Sequence, residues 1–285
     1  MERSDSMAAL GARHALSRRA ILLGLLASVL SIPAMSREAA GERTIAAIPP
    51  PPGFSRVAAG PGSFAAWLRA LPLLPDSTPV RDYRGRIRHA AGDTTIAAVV
   101  DLDITGRRLE QCMDILLRLR AEYLREAGRA DAIVLVLPDG TRLSWPQWRA
   151  GMRPVITGGR FPLRRTAGPD SSDAAFHRYL RTIYVHSGTT TFYHHLDPVP
   201  PDSLRIGDVV IRTGRPGHAV MIVDLARDGQ GNLRGLVAQG DTPARQLHLL
   251  ARRAGDPWIP LDVTRDPVPL PLRNPLRWSG LRRLD

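Results

Sequence analysis

No lysine occurs anywhere in the 285-residue chain: all 39 basic residues are arginines. Usage this lopsided reflects a GC-rich coding sequence more than a device for gripping phosphates. No basic strip is interleaved with aromatics, which make up only 5% of residues, so nucleic acid is not an expected partner. Cysteine is almost as scarce, with Cys112 alone, and an intramolecular disulfide is thereby excluded. A lone thiol is either buried and inert or reactive and useful, and both readings stand at this stage. Long apolar runs are missing after the first thirty residues, so no later segment is expected to span a membrane. What is plentiful is turn chemistry, 25 prolines and 25 glycines, beside a hydrophobic content of 44%. A packed domain with many loops and short strands is expected.

The first residues read as an export signal. Ser17-Arg18-Arg19 precedes the apolar run from Ala20 to Leu30, and small residues follow at Ala34 and Ser36. The paired arginines with Leu22 and Leu23 behind them resemble a twin-arginine signal. Residues 1–36 are therefore assigned to the signal, 37–62 to a Pro-rich linker containing Pro49 to Pro52, and 63–285 to a single domain. The mature protein is expected to be periplasmic or extracellular. Losing the signal lowers the formal charge of +12 by two, and a basic exported protein is drawn to anionic envelope polymers such as peptidoglycan.

Within the domain, Ser63 caps a short helix carrying Phe64, Trp67 and Leu68. Ile96 to Asp103 reads as a buried strand. Arg107 to Glu126 is the best helix, with Leu109, Cys112, Leu116, Leu119 and Tyr123 forming an apolar stripe. On that reading Cys112 lies beyond the first turn, where the helix dipole does little for a thiol. Ala132 to Leu137 is a further strand, and Asp170 or Ser171 caps a helix running to about Val185. The final third alternates strands and turns: Ile206 to Asp224, Leu233 to Gln239 and Gln246 to Leu250. Helix and strand followed by an antiparallel meander predict an α+β fold.

The richest segment is "IGDVVIRTGRPGHAVMIVD", two strands joined at a Gly/Pro turn with His218 opening the second. It resembles the hairpin of NlpC-type amidases in the papain-like superfamily, where this histidine is the base for a cysteine. That resemblance implies a papain-like antiparallel sheet with packed helices. It makes Cys112 the nucleophile, His218 the base and Gln239 the group that orients the ring. The sequence departs from the pattern in carrying Gln111-Cys112-Met113 where Asp-Cys-Ser is usual, and in the long interval from cysteine to histidine. Two other constellations stand in the chain. "DLDIT", Asp101 to Thr105, matches the nucleophile motif of haloacid-dehalogenase-type phosphatases, a magnesium chemistry whose lysine is missing here. His194-His195 with Asp197 or His248 lacks metal-ligand spacing, and His248 reads as a polar position on a strand. No cofactor or metal is expected.

The ordered blocks "FAAWLRALPLLP", "AAVVDLDITGRRLEQCMDILLRLRAEYL", "FHRYLRTIYVHSGTTTF", "IGDVVIRTGRPGHAVMIVD" and "LVAQGDTPARQLHLL" resemble a bacterial domain of unknown function, numbered four-eight-four-six, whose members are typically exported. Gly240-Asp241 stands where members usually carry a serine and an aromatic. The resulting expectation is an exported cysteine amidase or peptidase acting on cell-wall peptides. The alternatives are a non-catalytic envelope-binding or scaffold protein on the same fold and, third, a phosphatase using Asp101 and Asp103.

Overall fold

The computed structural model describes residues 43–284. The segment expected to be an export signal and the first part of the Pro-rich stretch lie outside the described residues. The rest of that stretch belongs to the fold, which begins well before the Phe64 start expected from sequence. Ile45 and Ile48 are buried, and the Trp258 indole N–H donates to the Pro49 carbonyl at 2.7 Å. Proline-rich sequence can lie against a core in extended form when its few apolar side chains and carbonyls find partners there.

The architecture is mixed helix and antiparallel sheet. Eight strands form the main sheet: β1 (Phe54–Arg56), β2 (Ile96–Val99), β3 (Val209–Arg212), β4 (His218–Asp228), β5 (Leu233–Gln239), β6 (His248–Leu250), β7 (Ile259–Pro260) and β8 (Leu281–Arg282). Their order is β8-β3-β4-β5-β6-β2, with β1 added to β4 and β7 to β5. The helices are α1 (Phe64–Arg69), α2 (Cys112–Glu126), α3 (Trp145–Arg149), α4 (Asp173–His186) and α5 (Thr189–His195). Three two-stranded hairpins lie apart from the main sheet.

The long strand β4 is apolar on both faces, and its alternation explains why. Ala219, Met221 and Val223 join the core that contains Ile115, Leu116 and Leu119 of α2, together with α4 residues Phe176 and Tyr179. Val220 and Ile222 join a second cluster with Val210, Val237, Leu276 and Trp278. The C-terminal coil thus seals the face that the helices leave open, and a Pro/Arg-rich end with little visible pattern becomes the third layer.

A buried ion pair pins the early chain to this sheet. Asp224 of β4 is wholly buried and accepts from the guanidinium of Arg56 at 2.7 Å and from that of Arg69 at 2.6 Å. Two arginines from β1 and α1 thereby share one carboxylate, which makes β1 an integral strand.

Helix starts follow their caps. Ser63 Oγ accepts the Ala66 N–H, as expected from sequence, while α4 is capped by Ser172, whose Oγ accepts the Ala175 N–H, and not by Asp170 or Ser171. Helix α2 corrects the sequence reading: it begins at Cys112, not Arg107. The Asp114 carboxylate turns back to accept the Gln111 N–H at 3.1 Å, which fixes the first turn there. Residues 107–111 are instead a series of tight turns, with Arg107 N–H bonding Ile104 and Glu110 N–H bonding Arg107. The short helix α5 had no counterpart in the sequence reading.

Candidate active site

Three segments converge at the N-terminal end of α2. Cys112 is its first residue, so the thiol stands in the turn where helix N–H groups lack intrahelical acceptors. The 214–217 turn leads into His218, the first residue of β4. Gln239 is the last residue of β5, which runs antiparallel beside β4 with Met221 opposite Ala238.

His218 and Gln239 are both buried and joined directly, Nε2 to Oε1 at 2.7 Å. The amide nitrogen of Gln239 lies 3.1 Å from Nε2 of His248, its cross-strand neighbour on β6. His248 in turn places Nδ1 2.8 Å from the Gln246 carbonyl. Burial holds the His218 imidazole below its usual range, with the Gln239 hydrogen bond working the other way. The base is therefore neutral at rest. Among the described residues its Nδ1 has no hydrogen-bond partner.

Cys112 reaches the same end of β4. The backbone N–H groups of Ala219, next in chain to His218, and of Met113 draw the thiol down. These donors favour a thiolate, but burial outweighs them and, with Asp114 nearby, pushes the thiol up to about 11. The resting pair is thus a thiol and a neutral imidazole, and no hydrogen bond joins them. The helix start does not by itself activate this sulfur, because desolvation wins over the dipole.

A cavity of about 420 Å³ opens onto Cys112. Gln111, just before α2, and Cys112 at its start line it, with Ser187 to Thr190 from the junction of α4 and α5, Gly214 to Gly217 from the turn before His218, and Thr242 from the loop after β5. Thr242 Oγ1 bonds Gln111 Oε1 at 2.9 Å, closing one rim. Two polar atoms of residues lining the cavity, Asp114 Oδ1 and Tyr184 Oη, are buried without a hydrogen-bond partner. Burial, with Glu110 adding to it, raises the Asp114 carboxyl well above the usual carboxylate range.

The remaining sequence candidates lie elsewhere. Asp101 and Asp103 sit in a surface turn after β2, where Asp103 Oδ1 accepts the Thr105 N–H at 2.9 Å. That bond holds the Asp103 carboxyl below its usual range, a poor setting for a general acid. His194 and His195 end α5, with His195 packed against Gly140. Among the described residues no group of three or more His, Cys, Asp or Glu is arranged to hold a metal ion, and no helix is long and apolar enough to cross a membrane.

His248, expected as a polar position on a strand, does lie on one, and its place opposite Gln239 is what the sequence did not show. Its alternation with Leu247, Leu249 and Leu250 marks a strand position, but only the register of β6 against β5 puts it opposite Gln239. Comparison with the curated proteins and with the solved structures gave no significant match. The family model described as Domain of unknown function (4846) matches residues 45–272, and the chain belongs to that family.

Proposed function

We propose that the protein is an exported cysteine amidase or peptidase with a papain-like core, acting on peptide bonds of the cell envelope. The observation that carries this reading is the hydrogen bond from His218 Nε2 to Gln239 Oε1 at the strand end reached by the only thiol of the chain. An imidazole held through Nε2 by an amide oxygen keeps Nδ1 as the proton acceptor, the requirement for a general base beside a thiol.

In the reaction, Cys112 Sγ attacks the carbonyl carbon and its proton passes to His218 Nδ1. The tetrahedral oxyanion is held by backbone N–H groups at the start of α2. Collapse breaks the C–N bond, and His218 delivers the proton to the leaving amine, which leaves a thioester on Cys112. Water, deprotonated by the same imidazole, hydrolyses the thioester and restores the thiol. Because the sulfur keeps its proton at rest, thiolate formation is part of the chemical step and not a standing property of the site. The 420 Å³ cavity, lined by hydroxyl, amide and backbone groups, suits an extended peptide.

The test is hydrolysis of peptidoglycan stem peptides by the purified protein. Turnover should fall by about two to four orders of magnitude in Cys112→Ser and in His218→Ala. A folded, pure protein that releases no new amino terminus from any such peptide would end this reading. A second reading, a non-catalytic envelope-binding protein on the same fold, draws on the burial of Cys112 and its raised thiol. It requires that Cys112→Ser leave binding to wall polymers unchanged while substitutions of surface arginines weaken it.

A further inference from the structure

The row of polar side chains does not stop at Gln239, and its far end fixes the protonation of its near end. A backbone carbonyl only accepts, so the 2.8 Å contact between His248 and the Gln246 oxygen means that His248 Nδ1 carries a hydrogen. Neutral His248 then presents a bare Nε2, which accepts from the Gln239 amide nitrogen at 3.1 Å. This contact settles which end of the amide faces which histidine: the NH2 group turns to His248 and Oε1 to His218. An amide oxygen only accepts, so His218 Nε2, 2.7 Å away, must carry the hydrogen, and Nδ1 is left bare. Three buried side chains on adjacent strands thus transmit one directional choice from a main-chain carbonyl to the imidazole.

We propose that His248 is a positioning residue for His218: by accepting from the Gln239 amide it orients that amide, and so selects the His218 tautomer whose Nδ1 is free to take a proton. This rests on the reading of His218 as the base for Cys112. Gln239 alone would not make the selection. With no acceptor on its far side, its amide can rotate, present NH2 to His218 Nε2 and move the imidazole proton to Nδ1, where the ring no longer accepts from a thiol. Removing His248 also leaves a buried amide donor unsatisfied, which favours that rotation.

The experiment is ¹⁵N nuclear magnetic resonance of histidine-labelled full-length protein at neutral pH, in the native chain, His248→Leu and His248→Gln. The native chain should show His218 as a single tautomer, with widely split ring nitrogens and the hydrogen on Nε2. His248→Leu should collapse that splitting toward an averaged value. His248→Gln, which keeps an acceptor oxygen in reach of Gln239, should retain it. In parallel, alkylation of Cys112 by iodoacetamide should slow in His248→Leu toward the rate of His218→Ala. The proposal is overturned if native His218 carries its hydrogen on Nδ1, or if folded His248→Leu keeps the native splitting. Should His248→Leu not fold, the native spectrum and that of His248→Gln decide. The tautomer is read without turnover, so a chain with the expected His218 signals and no peptide hydrolysis would remove the hydrolase reading while leaving this coupling intact.

Discussion

His218 Nε2 and Gln239 Oε1 stand 2.7 Å apart, both side chains buried at the ends of adjacent strands. A hydrogen bond in that setting is hard to exchange for solvent and so holds the ring in one orientation. What the contact cannot supply is charge: neither partner is ionised, and the nearby thiol is pushed up to about 11 by burial.

The first prediction follows from that thiol. If His218 is its base, Cys112 of the native chain is alkylated at neutral pH through proton transfer to the imidazole. In His218→Ala the thiolate has to form unaided, so the alkylation rate should be low at neutral pH and climb with alkalinity toward an inflection near 11. Iodoacetamide labelling followed by mass spectrometry across pH gives both curves. Superimposable curves would show that the ring does not serve the sulfur.

Acid should unfold the protein in part through His248. Burial holds this imidazole down to about 4, with His89 and Arg245 pushing the same way and Asp241 and the Gln246 carbonyl opposing. In the unfolded chain it titrates near 6.5. Above that value neither state is protonated and the group contributes nothing. As pH falls from about 6.5 to 4, the unfolded chain binds a proton the folded one refuses, and stability drops by roughly 3 kcal/mol. His218 and His177, both held below their usual range by burial, act in the same direction. Thermal melts of His248→Gln should therefore show a shallower acid limb than the native chain, and identical slopes would contradict the assignment.

Removing the carboxylate shared by Arg56 and Arg69 should loosen the early chain from the sheet. Asp224→Ala leaves two inward-reaching guanidinium groups without their acceptor, a change expected to cost about 3 to 5 kcal/mol. Melting temperature should fall sharply, and limited proteolysis should first cut near β1. An unchanged melting temperature would mean that this cluster adds nothing net.

Gly217 is tight for a steric reason. A Cβ there would meet Thr189 Oγ1 at 2.0 Å and the carbonyls of Arg212 and Gly214 at 3.2 Å. Gly217→Ala should displace the turn that delivers His218 and, on the proposed hydrolase reading, reduce peptide hydrolysis more than it reduces stability. Adding Thr189→Ala removes the worst contact and should restore part of the loss. Activity in the double variant no higher than in Gly217→Ala would place the strain in the backbone contacts instead.

Much of this site is legible in the sequence. The Gly/Pro turn, the histidine at a strand entrance and the glutamine ending the next strand are local features, written in turn residues and apolar alternation over stretches of under twenty residues. Cys112 was legible as an apolar helix position but not as a helix start, because the apolar period continues backwards through Leu109 and hides the break. The signal was there in Asp114, two residues on, once its carboxylate is seen as a cap for Gln111. The core role of Ile45, Ile48 and β1 was not legible, since their partners Asp224 and Trp258 lie more than 150 residues away. His248 needed strand register, which no single segment encodes.

The burial that makes Cys112 a reluctant thiolate has a use of its own. Oxidants such as peroxides and disulfides attack deprotonated sulfur, so a thiol that holds its hydrogen at rest survives where an always-ionised one is consumed. Slow chemistry at rest then protects the sulfur wherever such oxidants are present.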